Sequence, residues 1–246
     1  MLTQMPPGTT PAGAETEQQA SAWVRGMFDR IAPRYDLLNH LLSLNIDRYW
    51  RARTVAQVRR ILERPGAQVL DVCCGTGDLT LALNSRSQSA HVFGSDFSHS
   101  MLAKASAKTS HGRWFEADAL RLPITGASFD LVTTAFGFRN LSNYRGGLSE
   151  LRRILKPGGT LAILEFSTPP NALIAELYGF YSRAILPAIG GMISGSKEAY
   201  RYLPESVRKF PDADGLAQQM REAGFVNVRF ERITAGIVAL HLGDRS

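Results

Sequence analysis

The chain has 246 residues, of which 44% are hydrophobic and 20% are charged. This composition is typical of a folded globular protein and excludes extensive disorder away from the ends. The net charge of +6 and the arginine-rich stretch at residues 48–64 are compatible with a phosphate-bearing partner, either nucleic acid or an anionic membrane surface. The alternative is that this stretch is a solvated helix face. No stretch reaches the roughly 18 uncharged apolar residues that a membrane-spanning helix needs.

The N-terminal quarter of the chain changes character near residue 22. Residues 1–21 are rich in Pro, Gly, Thr and Gln without apolar periodicity, which predicts a disordered leader. This leader lacks the basic start and the apolar stretch of a signal peptide. A helical segment is predicted over residues 22–62, as the first part of a single folded domain over residues 22–246.

From Gln68 onward, short β-like runs alternate with helical ones. Strands are predicted at 67–73, 91–98, 113–119, 129–136 and 160–167, with helices between them at 77–85, 100–108 and 145–155. This alternation is typical of a parallel sheet with crossover helices. A last helix and two strands follow, at 212–225, 226–233 and 236–243. The predicted fold is therefore α/β, with a doubly wound, mostly parallel seven-stranded sheet whose last strand is antiparallel.

Between the fifth strand and the last helix lies an insertion, residues 168–208, which is too long for a simple connection and is predicted to be functional. Its apolar side chains can form either a ligand groove or the core of a helical subdomain. They are Leu173, Leu177, Tyr178, Phe180, Tyr181, Ile185, Leu186 and Ile189, interrupted by Pro187.

The segment "VLDVCCGTGD" ends the first strand at Asp71, passes through Gly75 and Gly77, and opens a helix. Glycines in such a loop let the backbone approach a ligand closely, and the helix start offers free N–H groups. The third glycine of the dinucleotide fingerprint is Thr80 here, which argues against NAD.

Two more acidic residues stand where the next strands end. Asp96 is placed to accept both hydroxyls of a ribose, with a helix N-cap as the alternative role. Asp118 is placed to receive an adenine amino group, with a simple loop acid as the alternative. Because carboxyl ends of parallel strands share one edge of the sheet, these acids and the glycine loop are predicted to form one ligand site.

This set of residues, with "KPGG" before the fifth strand and the terminal strand pair, resembles the class I S-adenosylmethionine-dependent methyltransferases. Two segments resemble a particular family within them, the ubiquinone/menaquinone biosynthesis C-methyltransferases: "YDLLNHLLSLNIDRYW" and "RILKPGGTLAILEFS". The motifs "FGFRN", "AYRYLPESV" and "TAGIVALHLG" strengthen the resemblance, which covers roughly Met27 to Gly243.

The resemblance implies S-adenosylmethionine-dependent C-methylation of a polyprenylated quinol. The "CCGTGD" loop is closer to the menaquinone members, so demethylmenaquinol is the first expected substrate and a methoxy-benzoquinol precursor of ubiquinone the alternative. By position, Thr76, Asp96, Asp118 and Ala119 are implied to contact the cofactor. The chain departs from the family pattern at Ala135, where a cofactor-contacting serine is not carried over, and at Asp47, where the signature often has histidine.

The segment "TTAFGFRNL" places Arg139 and Asn140 at the end of an apolar strand. A reduced quinone ring becomes a carbon nucleophile when its hydroxyl is deprotonated, and arginine, which stays protonated, suits the resulting anion better than it suits the role of a base. Arg139 is therefore predicted to hold the quinol oxygen, Asn140 and Tyr35 to orient it, and Phe136 and Phe138 to pack around the site. The alternatives are a loop-pinning salt bridge for Arg139, a turn or cap for Asn140 and packing for Tyr35.

Other partners and locations follow less directly. The five histidines are scattered without ligand spacing, so no metal is predicted. The adjacent Cys73 and Cys74 cannot pair without strain, which predicts free thiols and a cytoplasmic protein. A prenylated substrate favours contact with the inner face of the membrane, and homo-oligomerisation stays open.

Two rival functions are a nucleic-acid methyltransferase and an RNA-binding module. The sequence lacks the Asn-Pro-Pro-aromatic motif after the fourth strand that the first would need, and the repeated stacking aromatics that the second would need.

Overall fold

The computed structural model describes residues 8–87, 89–181 and 197–246. A seven-stranded sheet lies at its centre, with the strands β1 (Gln68–Val72), β2 (His91–Asp96), β3 (Trp114–Glu116), β4 (Phe129–Ala135), β5 (Leu155–Phe166), β6 (Phe225–Ile233) and β7 (Val238–Arg245). Their order is β3-β2-β1-β4-β5-β7-β6. The pairs from β3 to β5 are parallel, and β7 runs antiparallel to β5 and β6. The predicted fold class is confirmed, including the antiparallel last strand.

The described helices are α1 (Glu17–Ile31), α2 (Tyr35–Leu42), α3 (Ile46–Leu62), α4 (Asp78–Arg86), α5 (His99–Ala107), α6 (Tyr144–Ile154), α7 (Ala172–Phe180), α8 (Lys197–Lys209) and α9 (Ala213–Glu222). Several begin at side chains that satisfy the free N–H groups of the first turn. Ser98, Asn143 and Asp212 accept from the third residue of α5, α6 and α9. The fifth strand begins at Leu155, earlier than predicted, because Leu155 already pairs with Phe129 of β4. The segment "KPGG" forms an irregularity in the pairing before Thr160.

Alternating strand residues bury the two faces of the sheet in separate cores. In β5, Leu161 and Ile163 face the core that contains α6 and α9, whereas Ala162 and Leu164 face the core that contains α3 and α4. This is the period-two pattern of strands buried on both sides. A third, smaller core joins α1, α5 and α8, and it holds the N-terminal segment against the carboxyl edge of the sheet.

The predicted disordered leader requires correction for residues 8–21. Helix α1 starts at Glu17, and Thr16 and Gln19 form a capping box there. Farther upstream, Thr9 is 4% exposed, donates its N–H to the Leu141 carbonyl at 2.8 Å, and places its hydroxyl 2.8 Å from that of Tyr202. The polar composition that suggested disorder instead supplies hydrogen bonds to the folded domain. Residues 1–7 lie outside the described residues.

The insertion is only partly described. Helices α7 and α8 belong to it, whereas Ile185, Leu186, Pro187 and Ile189 of the predicted groove lie outside the described residues. Among the described helices, none has both the length and the apolar character needed to cross a bilayer.

Candidate active site

The strand order reverses between β1 and β4, and a cavity opens there at the carboxyl ends of the strands. We call it the strand-end cleft. It brings together most of the residues predicted to hold the cofactor. They are Asp71, Gly75, Thr76, Asp96, Asp118 and Ala119. Gly77 lies behind this wall: its φ is +83°, and a Cβ there would lie 2.6 Å from the Trp114 ring, so the position requires glycine.

Asp96 ties the glycine loop to the end of β2. One carboxylate oxygen accepts the Gly75 N–H at 2.8 Å and the other accepts the Ser98 N–H at 2.9 Å. Burial raises the pKa of Asp96 to about 6, against these donors. The alternative role as a helix N-cap is wrong, since Ser98 caps α5.

Asp71 supports the loop from below. It is 1% exposed and accepts hydroxyl hydrogen bonds from Thr80 at 2.7 Å and Thr133 at 2.8 Å. Thr80, which stands where the dinucleotide fingerprint has its third glycine, is therefore hydrogen-bonded to Asp71. Burial raises the pKa of Asp71 to about 7.

This raised pKa predicts a pH-dependent stability. Between the ordinary value of 3.8 and about 7, the folded protein keeps a proton that the unfolded chain releases, so rising pH lowers the free energy of unfolding, by up to roughly 4 kcal/mol. Asp71→Asn removes this contribution and is expected to reduce the pH dependence in denaturant titrations at pH 5 and pH 8, leaving the smaller contribution of Asp96, whose pKa is about 6. Asp118→Asn is the control that keeps the wild-type slope. Equal slopes for Asp71→Asn and wild type would contradict the prediction.

The N-terminal helices cover the strand-end cleft. The Thr76 hydroxyl donates to Asp36 in α2, and Lys108 bridges Asp36 and Asp78 at 2.7 Å each. Next to Asp36, Tyr35 lines the cleft and hydrogen-bonds the Asn39 side chain. Burial raises the pKa of the Tyr35 phenol, so this side chain stays protonated and can donate a hydrogen bond.

A second cavity of about 420 Å³, mostly apolar, adjoins the first. Tyr35, Asn39, Arg51 and Phe136 line both, so the two cavities share a wall. We call the second one the apolar cavity. Its aromatic side consists of Trp50, Phe136 and Phe166, with centroids of the two phenylalanine rings 4.9 Å apart. Ile174, Leu177, Tyr178, Tyr181, Leu203 and Val207 line it from the insertion.

Arg139 follows β4 in a short 3₁₀ helix, Phe138–Asn140, and lines the apolar cavity. Its guanidinium is 2.8 Å from Glu165 Oε1, and its backbone N–H donates to Glu165 Oε2 at 3.2 Å. Glu165 is 1% exposed, so the pair is buried, and the predicted alternative of a loop-pinning salt bridge is present in the structure. The guanidinium also lies over the Phe166 ring, 5.2 Å from its centroid, and its Nε is buried without a hydrogen-bond partner among the described residues.

Asn140 points elsewhere, although it is next to Arg139 in sequence. It lines the strand-end cleft, and its Oδ1 accepts from the Tyr202 hydroxyl at 3.0 Å. Phe138 is 1% exposed and stacks on Tyr144 in the core, so the prediction that it packs around the site is wrong. Phe136, in contrast, lines both cavities.

Sequence reasoning missed three contributors. Glu165 carried a usable signal, as a lone acid in the apolar strand "TLAILEF". Ser142 carried none; the residue lines the strand-end cleft, and its hydroxyl is buried without a partner among the described residues. The third is the group His40, Asp47 and Asp78, whose ligand atoms lie within 4.8 Å of one another. Arg51 is 2.5 Å from Asp47 and 3.3 Å from Asp78, so an arginine side chain already places a positive charge beside the two carboxylates of this group.

Comparison with known proteins decides the family. The model described as the ubiE/COQ5 methyltransferase family matches residues 14–245. The chain belongs to this family. It is 49% identical to a demethylmenaquinone methyltransferase of Thermus thermophilus, over 89% of this chain and 100% of the relative. It is 46% identical to the ubiquinone/menaquinone biosynthesis C-methyltransferase UbiE of Syntrophotalea carbinolica, over 90% and 94% of the two chains.

Solved structures share the fold at low identity. A chain of the complex between the Haloferax volcanii Trm112 methyltransferase activator and a putative methyltransferase has a TM-score of 0.64, 19% identity, and coverage of 89% and 97%. A possible histamine N-methyltransferase of Thermotoga maritima has a TM-score of 0.63, 18% identity, and coverage of 91% and 100%. As a member of the ubiE/COQ5 family, the chain is an S-adenosylmethionine-dependent C-methyltransferase.

The strand-end cleft fits this cofactor. Asp96 and Asp118 offer carboxylate oxygens for hydroxyl and amino donors. Phe97, Met101 and Leu120 supply apolar surface in the same cleft, which suits a flat aromatic base.

Proposed function

We propose that this ubiE/COQ5 family member methylates a ring carbon of demethylmenaquinol. The observation that carries the proposal is the position of Arg139, a buried cation on the wall of an apolar cavity that shares Tyr35 and Phe136 with the strand-end cleft. A quinol ring in the apolar cavity therefore lies beside the methyl donor in the cleft. The curated relatives named above act, by their names, on demethylmenaquinone or in ubiquinone and menaquinone biosynthesis.

The chemistry assigned to the residues is electrostatic. S-adenosylmethionine supplies an electrophilic methyl group when bound. A quinol hydroxyl resembles that of tyrosine, with a pKa of about 10. The site must therefore stabilise the phenolate so that the ring carbon can attack the methyl group. Arg139 is proposed to hold that oxygen through guanidinium N–H groups that do not bond Glu165, such as the unpartnered Nε. The ring carbon would then bond to the methyl carbon as the bond from that carbon to sulfur breaks, and the proton on the ring carbon would pass to water, which restores the aromatic ring.

The neighbouring residues are proposed to position these groups. Tyr35, protonated and shared by both cavities, is suited to donate to a quinol oxygen. Asn140 lies on the cofactor side, where its bond to Tyr202 holds the loop after β4. We therefore assign Asn140 to positioning the cofactor, in place of the direct contact with the quinol predicted from sequence.

The isoprenoid tail needs an apolar path, and the described part of the insertion provides one. Leu177, Tyr178 and Tyr181 of the predicted groove line the apolar cavity. A substrate with such a tail resides in membranes, so we propose that the enzyme works in peripheral contact with a bilayer.

The test is a reaction of the purified protein with S-adenosylmethionine and chemically reduced, short-tailed demethylmenaquinone, followed by mass spectrometry. The expected product is heavier by one methylene unit and carries the new methyl on the ring. A control reaction contains the oxidised quinone, which lacks the phenol and should not react. Methylation of a methoxy-benzoquinol instead would favour the ubiquinone alternative, and methylation of neither would refute the proposal.

A further inference from the structure

Exposed apolar side chains are concentrated on one part of the surface. In the described part of the chain, all the large hydrophobic residues that are exposed, apart from Val226, lie in α7 or between Leu37 and Tyr49. We define the first ridge as Leu37, Leu41 and Leu44, and the second ridge as Leu173, Leu177 and Phe180. Their exposed fractions range from 43% to 74%. Exposed apolar side chains that are concentrated in this way mark an interaction site.

Both ridges have the spacing of a helix face. Leu173, Leu177 and Phe180 are separated by four and three residues, so they align along one side of α7. Leu37 and Leu41 have the same spacing in α2, and Leu44 continues the ridge into the following turn. Leu44 is held at a φ of +51°, which is unusual for leucine, and its side chain is 74% exposed. Backbone strain that displays an apolar side chain to solvent is typical of functional surfaces.

Each ridge contributes one residue to the apolar cavity. Leu44 from the first ridge and Leu177 from the second line that cavity and are themselves exposed. Residues that do both mark the place where the cavity reaches the surface. Arg48, in the first turn of α3 and four residues after Leu44, is an exposed cation with no ion-pair partner among the described residues.

We propose that the two ridges insert into the outer part of a lipid bilayer, so that the substrate enters the apolar cavity from the membrane without crossing water. This inference rests on the proposed function, because a prenylated quinol is what makes a bilayer, rather than another apolar partner, the occupant of the face. Leucine and phenylalanine flanked by arginine are the side chains that bind at the headgroup boundary. A second copy of the chain bound to the same face would instead cover the mouth of the cavity and block the entry of the substrate.

The test uses the variant Leu37→Glu/Leu173→Glu. Neither residue lines the apolar cavity, and both lie in the first turn of their helices, where acidic side chains are favourable. In cosedimentation with phosphatidylcholine vesicles that contain phosphatidylglycerol, the variant is expected to bind at least about tenfold more weakly than the wild type. Val226→Glu, at the far edge of the sheet, is the matched control and should bind like the wild type.

Activity separates this inference from the proposed function. The double variant should methylate a soluble short-tailed quinol like the wild type, but should lose turnover of a long-tailed quinol in vesicles in proportion to its weaker binding. Equal vesicle binding by wild type and double variant would overturn the docking face even if the quinol is methylated. A wild-type dimer that the double variant dissociates without vesicles would also overturn it. Failure of the wild type to methylate either quinol would refute the proposed function instead, whatever the vesicle assay shows.

Discussion

The double variant Arg139→Met/Glu165→Gln is expected to fold, to bind S-adenosylmethionine normally, and to lose methyl transfer by roughly 10²–10³-fold, the loss typical of removing one donor to a developing anion. The paired change is needed because Arg139 and Glu165 are 4% and 1% exposed. Arg139→Ala alone would leave Glu165 buried without its partner, at a cost of about 3–5 kcal/mol. Thermal unfolding and calorimetric cofactor binding establish the folded state, and single-turnover kinetics measure the chemical step.

The single variant Glu165→Gln provides the matched comparison. It retains the arginine and its contact with Phe166 but leaves that buried charge without its counter-ion, so it should be less stable than the double variant. At temperatures where it stays folded, it should keep most of the activity that the double variant loses. A double variant with full activity would remove Arg139 from the mechanism. A double variant whose cofactor affinity falls as far as its activity would instead show that the ion pair acts only by holding the loop after β4.

Asp96→Asn is expected to weaken S-adenosylmethionine binding by roughly a hundredfold or more, since hydrogen bonds to a charged acceptor contribute about 1.5–3 kcal/mol each. The wild-type affinity should also depend on pH. Hydroxyl donors favour the ionised carboxylate, and burial raises its pKa to about 6, so affinity should be full above that pH and fall below it. Titration calorimetry from pH 5 to pH 8 measures both effects, and Asp96→Asn should lack the pH dependence.

Asp118→Asn serves as the control for Asp96. Asp118 is exposed and uses Oδ1 to accept the Leu120 N–H at 2.9 Å, so its loss should cost less affinity. An Asp96→Asn variant with wild-type affinity would move the ribose contact elsewhere. The same pH dependence in variant and wild type would assign the titration to another group of the cleft, with the buried Asp71 as the first to examine.

The sequence by itself determined the order of helices and strands, because two-sided burial gives each central strand a continuous apolar run and glycine or capping residues mark its ends. It also placed Asp71, Gly75, Asp96 and Asp118 at one edge of the sheet, since parallel strands all end there. Local composition failed for residues 8–21. There, the Thr9 backbone N–H and hydroxyl bond to Leu141 and Tyr202, which are more than a hundred residues away in sequence.

Only the tertiary structure decided what Arg139 faces. Two isolated charges, Arg139 after β4 and Glu165 in β5, were visible in apolar segments, but their pairing depends on the strand register that sets Ala135 opposite Leu164. The same register and the turn after β4 direct Arg139 to the apolar cavity and Asn140 to the strand-end cleft. Adjacent residues can face different sites because the 3₁₀ turn rotates each side chain by about a third of a turn from the last, and no local pattern in the sequence records which way each one points.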